Sequence, residues 1–437
     1  MQLPNILLTL RQMSLSKLAL QVFHDPDVRL FTSTHDIHCC IWPREEIESF
    51  LGKEPVTLLN DEQVYQFLFV LARPTLETEY KHRYTGDGKY HSLPNKQWEI
   101  LLNQKLSTLS LPNMFKKDVK GLIRLIVIES YIWFQDHKTT IQSTTNLQNH
   151  FHWTQDNKID RQKTAKSIIA DDNIILLDRF MIALLYCFEV DAYFFWKKLS
   201  YRFRHDFEGD LFYEKSKTWF LHFSYGDEID WEEYARKISR NDFGFRTYLP
   251  KMRQEKRLEC VMLLLNQNWI NYHELQFCLS TLDQNQQIKV MKKCSFEILK
   301  MFLDWPLREK LLDVLKILWP YLSEMNFRDL LDLILCQKRL FNWISYDTYT
   351  LAEELRKRNP FIYNKSINYY TLKSALKCKG SLSFKNELRG RSNDDIFIAF
   401  YSGNTVFAIC KNYFSNVTVN HLRFFSMHSR HYNKCFS

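Results

Sequence analysis

At 437 residues, with 45% hydrophobic and 25% charged side chains, the chain has the make-up of a folded globular protein long enough for two or three domains. Glycine occurs only 10 times, a scarcity that disfavours glycine loops wrapped around phosphates and folds of many short strands. The formal charge of +9 is concentrated at one end: residues 361–437 hold 11 Lys and Arg against 3 Asp and Glu, leaving 48 against 47 elsewhere.

The richest apolar run, Met181 to Val190, is interrupted by Glu189 and falls short of the roughly 20 residues that a bilayer requires. The apolar N-terminus carries Arg11, Gln12 and Lys17, which suits an amphipathic helix better than a signal peptide. No Cys-x-x-Cys occurs among 10 cysteines, so free, buried thiols are expected at Cys187, Cys260, Cys278, Cys294 and Cys336. These readings place the protein in the cytoplasm or the nucleus, with no membrane partner. The short sequons at Asn364 and Asn416 do not outweigh them.

In chain order, residues 1–135 read as an N-terminal helical region. Asn60 and Gln63 have capping-box spacing before an apolar run ending at Leu71, and further helices are expected from Pro94 to about Leu106 and from Asp118 to Phe134. Residues 136–166 are polar with few aliphatic anchors and read as a linker or long surface loop. From 167 to 360 the pattern becomes regular. Asp230 with Glu233, Asn271 with Glu274, Asp283 with Gln286 and Asn326 with Asp329 each place a side-chain acceptor three residues before an acid or amide. Pro306 suits the first turn of another helix, and Asp347 opens a last one that stops before Pro360.

Two stretches are similar to each other. Lys256–Leu265 aligns with Lys310–Trp319, and Asn271-Tyr-His-Glu-Leu275 aligns with Asn326-Phe-Arg-Asp-Leu330 at nearly the same offset. Such spacing suits a repeat of helix hairpins. The expected fold is therefore all-α, an irregular, α-solenoid-like stack of helix hairpins. Residues 361–437 form a basic, weakly structured tail in which Ile396–Tyr401 and Val406–Cys410 flank a turn, the pattern of a small β-hairpin.

Phe296–Pro306, Leu318–Leu330, Leu3-Pro4 and Phe194–Leu199 carry a resemblance. On these residues the chain, from 1 to about 360, resembles a family of uncharacterised helical proteins of arachnids with degenerate ankyrin-like repeats. The resemblance implies a helical-repeat fold and no chemistry. The chain departs from true ankyrin units in lacking their Thr-Pro-Leu-His turn and their repeat of about 33 residues, and the cationic tail has no counterpart in the family.

Several clusters invite a functional reading. His24, Asp25, His35, Asp36, His38, Cys39 and Cys40 include the usual zinc-ligand types, but their spacing fits no finger, and adjacent cysteines rarely share one metal. A cysteine nucleophile at 39 or 40 needs a base in reach, which His38 does not supply by adjacency alone. His150 and His152 flank aromatic residues in the polar stretch. Asp227, Glu228, Asp230, Glu232 and Glu233 crowd a helix start, where acids complement the helix dipole, without the order of a calcium loop. Tyr193-Phe194-Phe195-Trp196 reads as core. Thr9-Leu10, Ser14 and Leu18 are similar to the leading helix of a box that recruits ubiquitin-ligase adaptors, with serine in place of its cysteine; an ordinary amphipathic helix presents the same pattern.

No catalytic, cofactor or metal residue is assigned. The expectation is a non-enzymatic interaction or scaffold protein, recognising an unknown protein through helices between Lys256 and Arg358. The alternative is binding of nucleic acid or an acidic partner through the tail. An enzyme ranks third and calls for a concave pocket of convergent polar groups.

Overall fold

The computed structural model describes residues 8–34, 96–138, 147–209, 214–236, 243–267 and 270–324, with scattered positions outside these stretches. Among the described residues sixteen α-helices follow one another. The first four are α1 (Leu10–Phe23), α2 (Pro26–Thr34), α3 (Lys96–Ser107) and α4 (Asn113–His137). Then come α5 (Arg161–Ala170), α6 (Leu176–Leu185), α7 (Glu189–Lys198), α8 (Tyr201–Gly209), α9 (Glu214–Tyr225) and α10 (Trp231–Arg236). The last are α11 (Phe245–Tyr248), α12 (Gln254–Asn266), α13 (Tyr272–Ser280), α14 (Gln284–Lys293), α15 (Ser295–Met301) and α16 (Leu311–Leu318). The described part of the chain is mainly helical, as its composition and spacing predict. The expected helix after Asn60 lies outside the described residues, as does the last expected helix apart from Leu355.

The chain divides into two compact units. The first comprises residues 1–3, 132–301 and 314–321; the second comprises 4–131, 302–313 and 322–437. In the second unit α1 opens with a full capping box. Thr9 Oγ1 accepts from the Gln12 amide at 3.2 Å, and Gln12 Oε1 accepts from the Thr9 amide at 2.9 Å. The core there gathers Ala19, Phe23, Trp98, Leu102, Leu122, Ile123 and Ile126, all fully buried. Lys105 of α3 lies 2.9 Å from Asp25, and Glu99 of α3 takes both Lys120 and Arg124 of α4.

The first unit is built from short helices, and rings fill the gaps between them. Phe180, Trp196, Phe207 and Phe223 pack with ring centroids 5.5–6.4 Å apart. Trp219 Nε1 donates to the Tyr234 hydroxyl at 3.2 Å. Many helix starts follow the expected caps. Asp230 accepts from the amides of Glu232 and Glu233, Asp283 from Gln286, and Asn271 from Glu274 with Glu274 answering the Asn271 amide. At the far end of α9, Gly226 adopts φ +76°, a left-handed cap that only glycine enters without strain.

Three expectations need correction. The described part of 136–166 is core rather than linker. Asp136, His137, Phe151, Asp156, Ile159 and Arg161 are buried, Trp153 bridges Ile159, and Arg161 begins α5. The polar composition hid this because rings and an ion pair supply much of the anchoring, beside only a few aliphatic residues such as Leu147 and Ile159. Asn326 does not head its helix. Ser323 is the cap: its hydroxyl accepts from the Asn326 amide at 3.1 Å, while Asn326 Oδ1 accepts from the Ser323 amide at 3.1 Å. Asn271 and Asn326 thus occupy different cap positions. The matching helices differ as well, since α12 starts at Gln254 whereas α16 follows a 3-10 turn over Leu307–Lys310. Pro306 therefore precedes that turn rather than lying within an α-helix.

The two adjacent leucines of α12 test its orientation. Leu264 is 0% exposed and Leu263 is 37% exposed. Leu264→Ala is expected to lower unfolding free energy by about 2–5 kcal/mol, and Leu263→Ala by about 0.5 kcal/mol or less, both read from urea denaturation.

Candidate functional site

Within the first unit, a cleft of about 290 Å³ is lined by residues from four separate segments: 154–162, Tyr186, 243–246 and 271–274. Beneath it a buried polar network begins with Asp136, at the end of α4, and Arg161, the first residue of α5. Their charged atoms are 2.5 Å apart, and their side chains are 1% and 5% exposed. Arg161 also lies over the Phe243 ring at 4.4 Å. Next to this pair, His137 is stacked against Trp133 at 4.0 Å and Phe243 at 5.1 Å.

The hydrogen bonds of His137 settle its tautomer. Its Nδ1 is 2.7 Å from the Trp133 carbonyl, which can only accept, so Nδ1 carries the hydrogen. Nε2 is then the acceptor for the Tyr186 hydroxyl at 2.9 Å. Burial, reinforced by the Arg161 charge, lowers the His137 pKa from 6.5 to about 3. Burial likewise pushes the Tyr186 hydroxyl above its ordinary value. Tyr186 therefore lines the cleft as a neutral, fixed ring. Cys187, which follows it, adopts φ 54°, a conformation costly for a residue with a Cβ.

A tight turn from 153 to 159 supplies another part of the site. Asn157 takes the left-handed conformation at φ 58°, and the Thr154 amide donates to the Lys158 carbonyl at 2.8 Å. This turn holds buried Asp156 where Thr154 Oγ1 donates to it at 2.5 Å and His273 Nε2 at 3.0 Å. Burial opposes ionisation of Asp156, but the His273 bond prevails and lowers its pKa; the same bond raises that of His273. Among the other lining groups, Glu274 and Asn271 are occupied by their own cap, and Asp160 accepts from the Lys163 amide at 3.1 Å.

The clusters expected from sequence are not brought together here. His35, Asp36, His38, Cys39 and Cys40 lie outside the described residues. His24 closes α1 through its amide, with burial lowering its imidazole pKa, and Asp25 pairs with Lys105. His150 meets Ser167 at 3.1 Å and Asp171 at 3.2 Å, whereas the His152 side chain is exposed. The acidic run disperses into local contacts: Asp230 caps α10, Glu232 pairs with Arg253 at 2.6 Å, and Glu233 pairs with Arg236 at 2.6 Å. The Arg253 bonds draw the Glu232 pKa down to about 2. No group of three or more His, Cys, Asp or Glu at metal-binding range occurs among the described residues. Thr9 is a helix cap, Leu10 and Ser14 are exposed, and Leu18 is half-buried.

The aromatic run divides between interior and surface. Phe195 and Trp196 are buried, but Tyr193 and Phe194 are 43% and 51% exposed. Core packing accounts for only half of it. With these features in place, the chain matches no family model, no curated protein and no solved structure. The cleft residues gave little sequence signal beyond the Asn271–Glu274 box, because they converge from distant segments.

The buried imidazole generates a pH test. Below pH 6.5 the unfolded chain protonates His137 while the folded chain does not. Its stabilising contribution is thus complete above pH 6.5 and falls by about 1.4 kcal/mol per pH unit on acidification toward pH 3. His273 acts in the opposite sense: its contribution is full below its ordinary pKa of 6.5 and is lost as pH rises through the raised value. Urea denaturation from pH 7 to 5 should show the acid slope in the natural chain and its removal in His137→Gln.

Proposed function

We propose that the protein is a non-enzymatic scaffold, a stack of helix hairpins that binds a protein partner through the outward face of α7. The observation that carries this reading is a cluster of apolar side chains left in water. Val190, 83% exposed, and Phe194 lie one helical turn apart, with Tyr193 beside them. Lys197 lies over the Tyr193 ring at 4.1 Å and Lys198 over the Phe194 ring at 3.9 Å. The carboxylates of α7, Glu189 and Asp191, pair instead with Lys251 and Lys166. Exposed rings under cations suit a partner segment with apolar anchors flanked by acids. The expected recognition region has less to offer: from 256 to 324, Leu263 is the one large apolar side chain exposed among the described residues.

Other features support parts of this reading. Helices close in sequence pack together, α5 with α6, α6 with α7, α8 with α9, and α14 with both α12 and α15, which favours hairpin stacking and the helical-repeat resemblance. The polar groups of the cleft are largely engaged by one another, which suits a structural or binding role more than turnover. Burial raises the Cys278 thiol pKa and moves that of Cys294 up to about 12, which favours packing over nucleophilic use. Buried Cys187, Cys260, Cys278 and Cys294, none of them in a disulfide, support placement in a reducing compartment, the cytoplasm. Among the described residues no helix is long and apolar enough to cross a membrane.

A second reading assigns nucleic-acid or acidic-partner binding to the tail, favoured by its surplus of eight positive charges. The proposed hairpin in that tail is supported by antiparallel pairing of Ile396–Ser402 with Thr405–Cys410.

The full chain and its Val190→Ser/Phe194→Ser double variant should be compared as baits at low and high salt. Docking on α7 predicts capture reduced about tenfold or more in the double variant, at both salt levels. Capture that is unchanged by the double substitution but abolished by salt would replace this reading with the tail-mediated one.

A further inference from the structure

The cleft of the first unit contains hydrogen-bond donors that its own fold leaves uncommitted. Arg246 lines it half-buried. Its guanidinium lies over the Phe277 ring at 5.0 Å and pairs with no carboxylate among the described residues. Gln162 Nε2 is a buried atom with no hydrogen-bond partner. His273 uses Nε2 on Asp156, and its protonated form carries a second N–H at Nδ1 for which no partner occurs among the described residues. Two carboxylates also line the cleft, but Glu274 is buried in its helix cap and Asp160 accepts from Lys163, which lies 3.3 Å from its second oxygen. The spare capacity is therefore mainly for donation, and it includes a full positive charge.

The remaining lining mixes Ile159, Phe243 and Phe245 with Thr154, Arg161 and Asn271, and Phe243 and Tyr186 stack at 5.4 Å. A guanidinium matches a carboxylate or phosphate in geometry as well as charge, and a ring wall takes a planar apolar body. At about 290 Å³ the space is at the small end of ligand pockets, which run from about 300 Å³ upward.

We infer that this cleft is a binding site for a small organic anion, an aromatic ring bearing a carboxylate or phosphate, with Arg246 and Gln162 holding the anionic group. The site is separate from the α7 face, and neither proposal depends on the other. Its chemistry is that of retention: every donor named binds the ligand, and none is assigned a step in a reaction.

The test is calorimetric titration of the full chain with benzoate, phenyl phosphate, inorganic phosphate and benzyl alcohol. At least one of the two aromatic anions should bind at least about tenfold more tightly than neutral benzyl alcohol, a difference of about 1.4 kcal/mol. The stronger of the two identifies carboxylate or phosphate as the favoured group. Inorganic phosphate should bind more weakly than phenyl phosphate, because it lacks the ring. Arg246→Met should weaken the favoured anion about tenfold or more, and Gln162→Leu severalfold, with Arg246→Lys retaining part of the affinity. The inference is overturned if none of the probes binds at about 10 mM, if benzyl alcohol equals the anions, or if inorganic phosphate equals phenyl phosphate. Unchanged affinity in a folded Arg246→Met chain also overturns it. The probe comparison on the natural chain remains decisive if that variant does not fold.

Discussion

Asp136 and Arg161 place opposite charges 2.5 Å apart in almost complete isolation from water, and the organisation of the cleft depends on that pair. Desolvating each ion costs several kcal/mol, recovered only where geometry and neighbouring groups are favourable. Here the guanidinium also lies against Phe243, and the carboxylate sits at the end of α4 while the arginine starts α5. The end of α4 and the start of α5 are thereby joined through one buried contact. Loss of either partner would strand a buried charge, so the pair constrains the structure more than it stabilises it.

That constraint reaches the cleft through His137. The positive charge of Arg161 adds to burial in keeping the imidazole neutral, and neutrality makes one ring nitrogen a donor and the other an acceptor. Trp133 and Tyr186 occupy those two positions. A charge pair thereby orients a tyrosine on the cleft wall without touching any ligand. Across the cleft, the turn around Asn157 presents Asp156 to His273, a second anchored charge pair. Most charged groups of the walls are engaged with one another, against which the spare donors of Arg246 and Gln162 stand out.

Aromatic residues, 15% of the chain, have two roles that the same short helix illustrates. Helices of four to thirteen residues in α5–α15 meet irregularly, and large rings can bridge the gaps that aliphatic side chains would leave. Phe195 and Trp196 of α7 are used in that way. Tyr193 and Phe194, two residues earlier, turn outward beneath lysine side chains. A helix turns by about 100° per residue, so four consecutive rings cannot share one face. Their runs in sequence identify rings, not interior positions.

Local chemistry is legible in the sequence itself. Caps at Asp230, Asn271 and Asp283 followed from a short acceptor placed three residues before its amide, because donor and acceptor lie within one turn. Helical class, burial of the thiols of Cys187, Cys260, Cys278 and Cys294, and the asymmetric charge of the tail were equally accessible from residue types and their spacing, whereas Cys336 lies outside the described residues. Asn326 shows the limit of even this local evidence, since Ser323 competes for the same turn and takes the cap. Tertiary structure alone decided that described residues of the polar stretch after 136 enter the core, and that Asp156 meets a histidine 117 residues away. The physical reason is that a polar residue's burial depends on the partner that compensates its desolvation, and a partner on another segment leaves no periodic trace in the sequence.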